Sequence, residues 1–119
     1  MAIENQQIIK YPAMEFEKST VFNLAQSVEY SDNATVSKMI LKKDTGNITL
    51  FAFDKGQSLS EHSAPFDAYV LVTDGRGTII INRQPHELMA GEFIVMPANI
   101  PHAVKAQERF KMMLVMIRG

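Results

Sequence analysis

Cysteine is absent from the 119 residues. That removes disulfides, thiol nucleophiles, zinc ribbons and iron–sulfur ligation together, and it leaves the redox compartment unassigned. No excess of charge of either sign exists: 12 Lys and Arg stand against 13 Asp and Glu, for a net charge of -1. A nucleic acid or an acidic membrane surface would therefore meet no electrostatic footprint. Also missing is any apolar run near the roughly 20 residues of a membrane span. Met1–Gln7 carries Glu4 and no apolar core of signal-peptide length. No repeat or low-complexity tract is visible. The expectation that remains is a soluble cytoplasmic protein with neither nucleic acid nor membrane as partner.

What is present points to β-structure. With 46% hydrophobic content, the chain is long enough for one domain with a real core and too short for two, so residues 1–119 are expected to form a single domain. Turn signals recur at Ser31–Asn33, Lys43–Asn47, Asp54–Gly56, Thr73–Gly77, Asn82–Pro85, Ala90–Gly91 and Pro97–Pro101. Between them lie β-branched and aromatic runs: Ile48–Phe53, Ala68–Val72, Thr78–Ile81, Phe93–Met96 and Met112–Ile117, with Val36–Leu41 before them. Short strands at this spacing, with no helical stretches between, predict an all-β sandwich or barrel. Asp74-Gly75-Arg76-Gly77 reads as a turn; it is no phosphate loop, because no helix follows it. Val21–Tyr30 fits either a short helix capped by Ser19 or Thr20, or a strand followed by a turn. Residues 1–24 read as an N-terminal arm, and residues 45–117 as the core.

Tyr69–Val72, Phe93–Met96 and Met112–Ile117 are apolar on both faces. A sheet wet on one side should alternate, so an outer face is expected to be covered by the arm or by a second subunit. A symmetric homodimer burying part of Met1–Leu24 is the expected cover. The eight methionines read first as core filling, and second as an adaptable pocket lining.

Two segments carry the chemistry. Gly56-Gln-Ser-Leu-Ser-Glu-His62-Ser-Ala64-Pro-Phe-Asp67-Ala68, with Gly75 further on, and Gly91-Glu-Phe-Ile-Val-Met-Pro97-Ala-Asn99-Ile-Pro101-His102 resemble the paired motifs of the cupin superfamily. Gly56, His62 and Gly75 fall in register with the first motif, whose second histidine and glutamate fall on Ala64 and Ala68. Gly91, Pro97 and His102 match the second, with Asn99 at its glycine and Ala106 at its asparagine. The resemblance is to small single-domain cupins of the conserved-barrel type. It implies a double-stranded β-helix or jelly-roll barrel, usually dimeric.

In metal-binding cupins three histidines and a glutamate converge inside the barrel. Here two imidazoles remain, so the resemblance implies at most a weakly held divalent metal ion on His62 and His102. A bulge near Pro65 would swing Asp67 inward and complete a 2-His-1-carboxylate face. The bland alternative is that each histidine is simply hydrogen-bonded within the barrel. His86 is expected in a solvated turn, and Glu61 points outward. Ala64 and Ala68 enlarge a ligand pocket shared with His62 and His102. The first functional expectation is a small-molecule-binding barrel with catalysis reduced or absent. The second is a metal-dependent oxygenase, isomerase or lyase acting on a small oxygenated compound, and the third a dimeric scaffold or sensor with an empty barrel.

Overall fold

β-branched and aromatic residues dominate the runs between the turn residues, and each run becomes a strand. A computed structural model describes residues 8–11 and 16–118. Its strands are β1 (Ile8–Tyr11), β2 (Thr35–Lys43), β3 (Gly46–Phe53), β4 (Ser58–His62), β5 (Asp67–Ile81), β6 (Gln84–Met89), β7 (Phe93–Met96), β8 (His102–Lys105) and β9 (Phe110–Ile117). No helix occurs among the described residues.

Two sheets share β5. Its first half pairs with β9 and β7, extending a larger sheet ordered β1-β2-β3-β9-β5-β7. Its second half pairs with β6 and β8, and β8 pairs in turn with β4, forming a smaller sheet. All pairings are antiparallel except β1 with β2. This is the all-β, double-stranded β-helix or jelly-roll architecture that the motif spacing implied.

Thr73–Gly77 was expected to be a turn between two strands; it is strand throughout. A register shift between Val72 and Asp74 and the left-handed Gly75, at φ 71°, bend the strand from one sheet into the other without ending it. Gly75 passes so close to β9 that a Cβ there would lie 2.2 Å from the Arg109 carbonyl oxygen. His86 is likewise in β6, opposite Ile79, rather than in a turn. The turn closes one step earlier, because Asn82 and Arg83 both take positive φ in the two-residue hairpin that such a pair favours. His86 is exposed.

Strand alternation sorts side chains between two cores. Between the two sheets, Phe53, Val70, Val72, Ile79, Phe110 and Met112 are buried, with Met96, Leu114 and Met116 packed among them. Phe53 stacks on Phe110 at 4.8 Å between centroids. The opposite, outer face of the larger sheet carries Val36, Leu50 and Ala52, covered by Val28, Leu24, Phe16 and Tyr30. Val21–Tyr30, the segment that fits helix or strand in sequence, is neither. Asn23 accepts the amide N–H of Gln26 through its side-chain oxygen at 3.0 Å, and the Ser27 hydroxyl donates to the Asn23 carbonyl. These local bonds compete with a helix, while Leu24 and Val28 are drawn onto the sheet. Of the arm expected over Met1–Leu24, residues 1–7 and 12–15 lie outside the described residues; Ile8–Tyr11 adds a strand to β2.

Candidate functional site

The two motif histidines meet on the smaller sheet. His62 ends β4 and His102 begins β8, and the two are direct antiparallel partners after a register shift between Leu59 and His62. Their rings are 4.4 Å apart at 69°, with the two Nε2 atoms 3.2 Å from each other. His102 is buried and His62 exposed.

The other ring nitrogens face backbone acceptors. His62 Nδ1 lies 2.8 Å from the Ser60 carbonyl oxygen, and His102 Nδ1 lies 3.3 Å from that of Ile100. A carbonyl oxygen only accepts, so each Nδ1 carries the hydrogen, and in the neutral ring Nε2 then presents its lone pair. With hydrogen on both Nδ1 atoms, the two Nε2 lone pairs face each other at 3.2 Å, an arrangement that a proton or a metal ion shared between them relieves. Two nitrogens bound to one zinc-like ion at about 2.0–2.1 Å, at tetrahedral to right angles, sit about 2.9–3.4 Å apart. The observed spacing fits that edge, and backbone acceptors behind both rings are what orients metal-bound imidazoles. As two ligands of an ion, His62 and His102 fit.

Burial first, and the neighbouring His62 second, push the proton affinity of His102 below its ordinary value, against a smaller opposing effect of the Ile100 carbonyl. The neutral, lone-pair-bearing ring is thus the favoured state at that position.

Asp67 is not brought to the pair. It opens β5 opposite Ile117, on the outer face of the larger sheet, and its Oδ1 accepts the Ala98 N–H at 2.8 Å. The bulge that would have turned it inward is not at Pro65: the shifts on either side of it fall at Leu59/His62 and Val72/Asp74, and the pairing from Asp67 to Val72 is regular. Among the described residues no three His, Cys, Asp or Glu side chains cluster as a metal site. Ala68 is buried in the core opposite Met96. Ala64 is half-buried, and its carbonyl accepts the Asn99 N–H at 2.7 Å. Glu61 faces Arg83 at 3.7 Å.

The Ser60 and Ile100 carbonyls were not legible in sequence, since any residue supplies a carbonyl; the usable signal was position, each lying two residues before its histidine. The paired histidines lie apart from a groove elsewhere on the molecule. A groove of about 780 Å³ runs along Phe16–Phe22 and Ile40–Lys43, on the opposite side of the larger sheet. It contains neither motif histidine, so the imidazole pair is the better candidate site.

A curled pair of sheets with paired histidines at adjoining strand ends defines a small jelly-roll barrel protein. The Cupin domain family matches residues 49–118, and the chain belongs to that family. It is similar to a conserved protein of unknown function from Streptococcus pyogenes, with 37% identity over 87% of this chain and 90% of that one, at a TM-score of 0.82. A cupin 2 conserved barrel domain protein from Leptotrichia buccalis shares 45% identity over 82% of this chain, with a TM-score of 0.79; the match spans 47% of that longer protein. A cupin superfamily protein from Desulfitobacterium hafniense shares 26% identity over 92% of this chain and all of that one, at a TM-score of 0.82. Among curated proteins none matches.

Proposed function

We propose that this cupin binds a small molecule at the end of the barrel where His62 and His102 converge, with Ala64 and Ala68 in the surrounding pocket, as a cytoplasmic homodimer. Catalysis is reduced or absent. A divalent ion is held there weakly, by two imidazoles, with water or the bound compound completing its shell. The observation that supports this reading is the 3.2 Å approach of the two Nε2 atoms while both Nδ1 atoms face backbone carbonyls. A metal-dependent enzyme with Asp67 as third ligand is less well supported, because that carboxylate is engaged by Ala98.

The test is a Co²⁺ titration followed by its visible spectrum. Wild-type protein should develop a band that is lost on dialysis against chelator and lost in both His62→Ala and His102→Ala, and unchanged in Asp67→Ala. Lactate, a two-oxygen donor, should alter the spectrum by entering the open positions. Absence of any band, or a band indifferent to both histidines, overturns the reading. Dependence on Asp67 would favour the three-ligand enzyme instead.

Stability supplies a second readout. An ion at 100 times its dissociation constant stabilises a fold by about 2.7 kcal/mol, several degrees in melting temperature for a domain of this size. Because the site offers two protein ligands, chelated protein should melt nearly where protein with micromolar Zn²⁺ does. A large zinc-specific rise would show that a fuller ligand set assembles.

A further inference from the structure

β5 bends at Gly75 from one sheet into the other, and the barrel interior is the wedge between its two halves. At the narrow end, Phe110 is the register partner of Gly75 and of Phe53; both phenylalanines are fully buried, and the Phe110 ring fills the space over Gly77. Ala68 lies seven residues before Gly75 and Ile81 six after it, so the two mark the wide end. His102 is the register partner of Ile81 and alternates with Val104 of the buried cluster. Its ring therefore stands on the inner face at the wide end, against His62.

Along the wedge the inner wall changes from sealed to open. Phe53, Phe110, Val72 and Met112 are closed off near the bend. Ile81, Leu114 and Met116, on the same face toward the wide end, pack against that cluster but keep part of their surface in solvent. Met96 and Met116 flank Ala68 in register on its two sides. Inward-facing apolar side chains that solvent still reaches, beside one polar pair, are the make-up of a ligand pocket.

This wall has little to offer a polar body. Among the described residues the buried polar side chains are Thr35, Thr49, Thr78 and His102, with no carboxylate, ammonium or guanidinium. Thr49, opposite Leu114, directs its hydroxyl to the Asn47 side-chain oxygen at 3.3 Å. The carboxylates nearest the site in sequence are engaged, Glu61 by Arg83 at 3.7 Å and Asp67 by the Ala98 N–H at 2.8 Å. A second charge on a ligand would lie against Leu114 and Met116 with no partner, which is costly. The hydroxyls of a sugar acid would give up water there without replacement.

We propose that the compound taken up at this site is a monocarboxylate oxygenated at its second carbon and carrying an alkyl or aryl body. Two imidazoles leave positions on an ion for the two oxygens of such a head, and the body lies along Ile81, Leu114 and Met116. The inference rests on the ligand reading above and adds the class of compound.

Calorimetric titration of Co²⁺-loaded protein with lactate, 2-hydroxy-4-methylpentanoate, malate and gluconate tests it. These acids share one head and differ in the body. Relative to lactate, 2-hydroxy-4-methylpentanoate adds three carbons; at roughly fourfold per buried methylene, it should bind about 10-fold tighter or more. Malate and gluconate should bind no tighter than lactate. Met116→Lys puts a cation on the wall, and should tighten malate and weaken 2-hydroxy-4-methylpentanoate while keeping the far-UV circular dichroism of wild type. Met89→Lys, at a residue exposed on β6, should leave the order unchanged. If Met116→Lys fails to fold, the wild-type series decides alone. Lactate binding with malate or gluconate preferred, or with no gain from the alkyl body, would overturn the class of compound and leave the ligand reading standing. A folded Met116→Lys with the wild-type order would overturn the placement of the body on this wall. Protein that forms no Co²⁺ band overturns both readings.

Discussion

Asn99 takes φ 65° at the position where the cupin motif has glycine, and its N–H donates to the Ala64 carbonyl at 2.7 Å. The left-handed region costs most L-residues roughly 1–2 kcal/mol, but Asn visits it more readily. Asn99→Gly should therefore leave urea stability close to wild type, whereas Asn99→Ala should lose about 1 kcal/mol; equal loss in both would point to the Asn99 side chain rather than its backbone. At His102, burial and the neighbouring His62 lower the proton affinity below the ordinary value of 6.5. The unfolded chain then takes up a proton more readily than the fold does. The stabilisation is complete above pH 6.5 and is lost as pH falls below it toward the folded value. Chelated wild-type protein should show this acid-side fall in melting temperature, and His102→Gln should show less of it.

Between elements, the segment over the outer sheet face is fastened by contacts from distant strands. The Tyr30 hydroxyl donates to the Asp74 carboxylate, and its ring lies against Arg109 at 5.1 Å and Lys111 at 5.0 Å. Burial first, and Asp74 second, raise the Tyr30 phenol well above its usual range. Arg109 also binds Asp54 and Asp32, at 2.7 Å each, and with the Asn33 and Lys55 N–H groups holds the Asp54 carboxyl down at about 2. This stabilisation is present above the ordinary carboxyl value of 3.8 and is lost as pH falls from there toward about 2. Arg109→Ala should raise the Asp54 midpoint measured by NMR titration; an unmoved midpoint would assign the depression to the backbone donors. Tyr30→Phe, which breaks one hydrogen bond to a charged acceptor, should cost about 1 kcal/mol in urea. On the inner face Gly77 lies under the Phe110 ring, where an added Cβ would come within 2.4 Å. Gly77→Ala should consequently cost about 1–3 kcal/mol through overpacking, visible as a lower urea midpoint.

At the scale of the whole molecule, one sheet face is packed against the other sheet, and its reverse is half covered by residues 16–30. Deleting residues 1–20 would remove Phe16 from the cluster over Leu50 and Val36. Such a deletion should lower solubility; solubility equal to wild type would mean that the cover is carried by Leu24, Val28 and Tyr30 alone. The Tyr30–Asp74–Arg109 clasp joins residues far apart along the chain, and nothing in the local pattern of Glu29–Asp32 or Thr73–Gly75 announced it.

Alternating apolar runs and recurrent turn residues determined by themselves that the chain is all β, because strand period and turn chemistry are local properties. The spacing of Gly56, His62, Gly91, Pro97 and His102 likewise placed both histidines in one barrel. Tertiary structure decided what locality could not. Gly75 looks like a turn residue in sequence, yet a bulge and its approach to Arg109 carry β5 straight through it. Asp67 looks like a third ligand, yet unbroken register from Asp67 to Val72 keeps it on the outer face. The facing lone pairs of His62 and His102 depend on two backbone carbonyls and one cross-strand pairing, and such contacts exist only once β4 and β8 lie side by side.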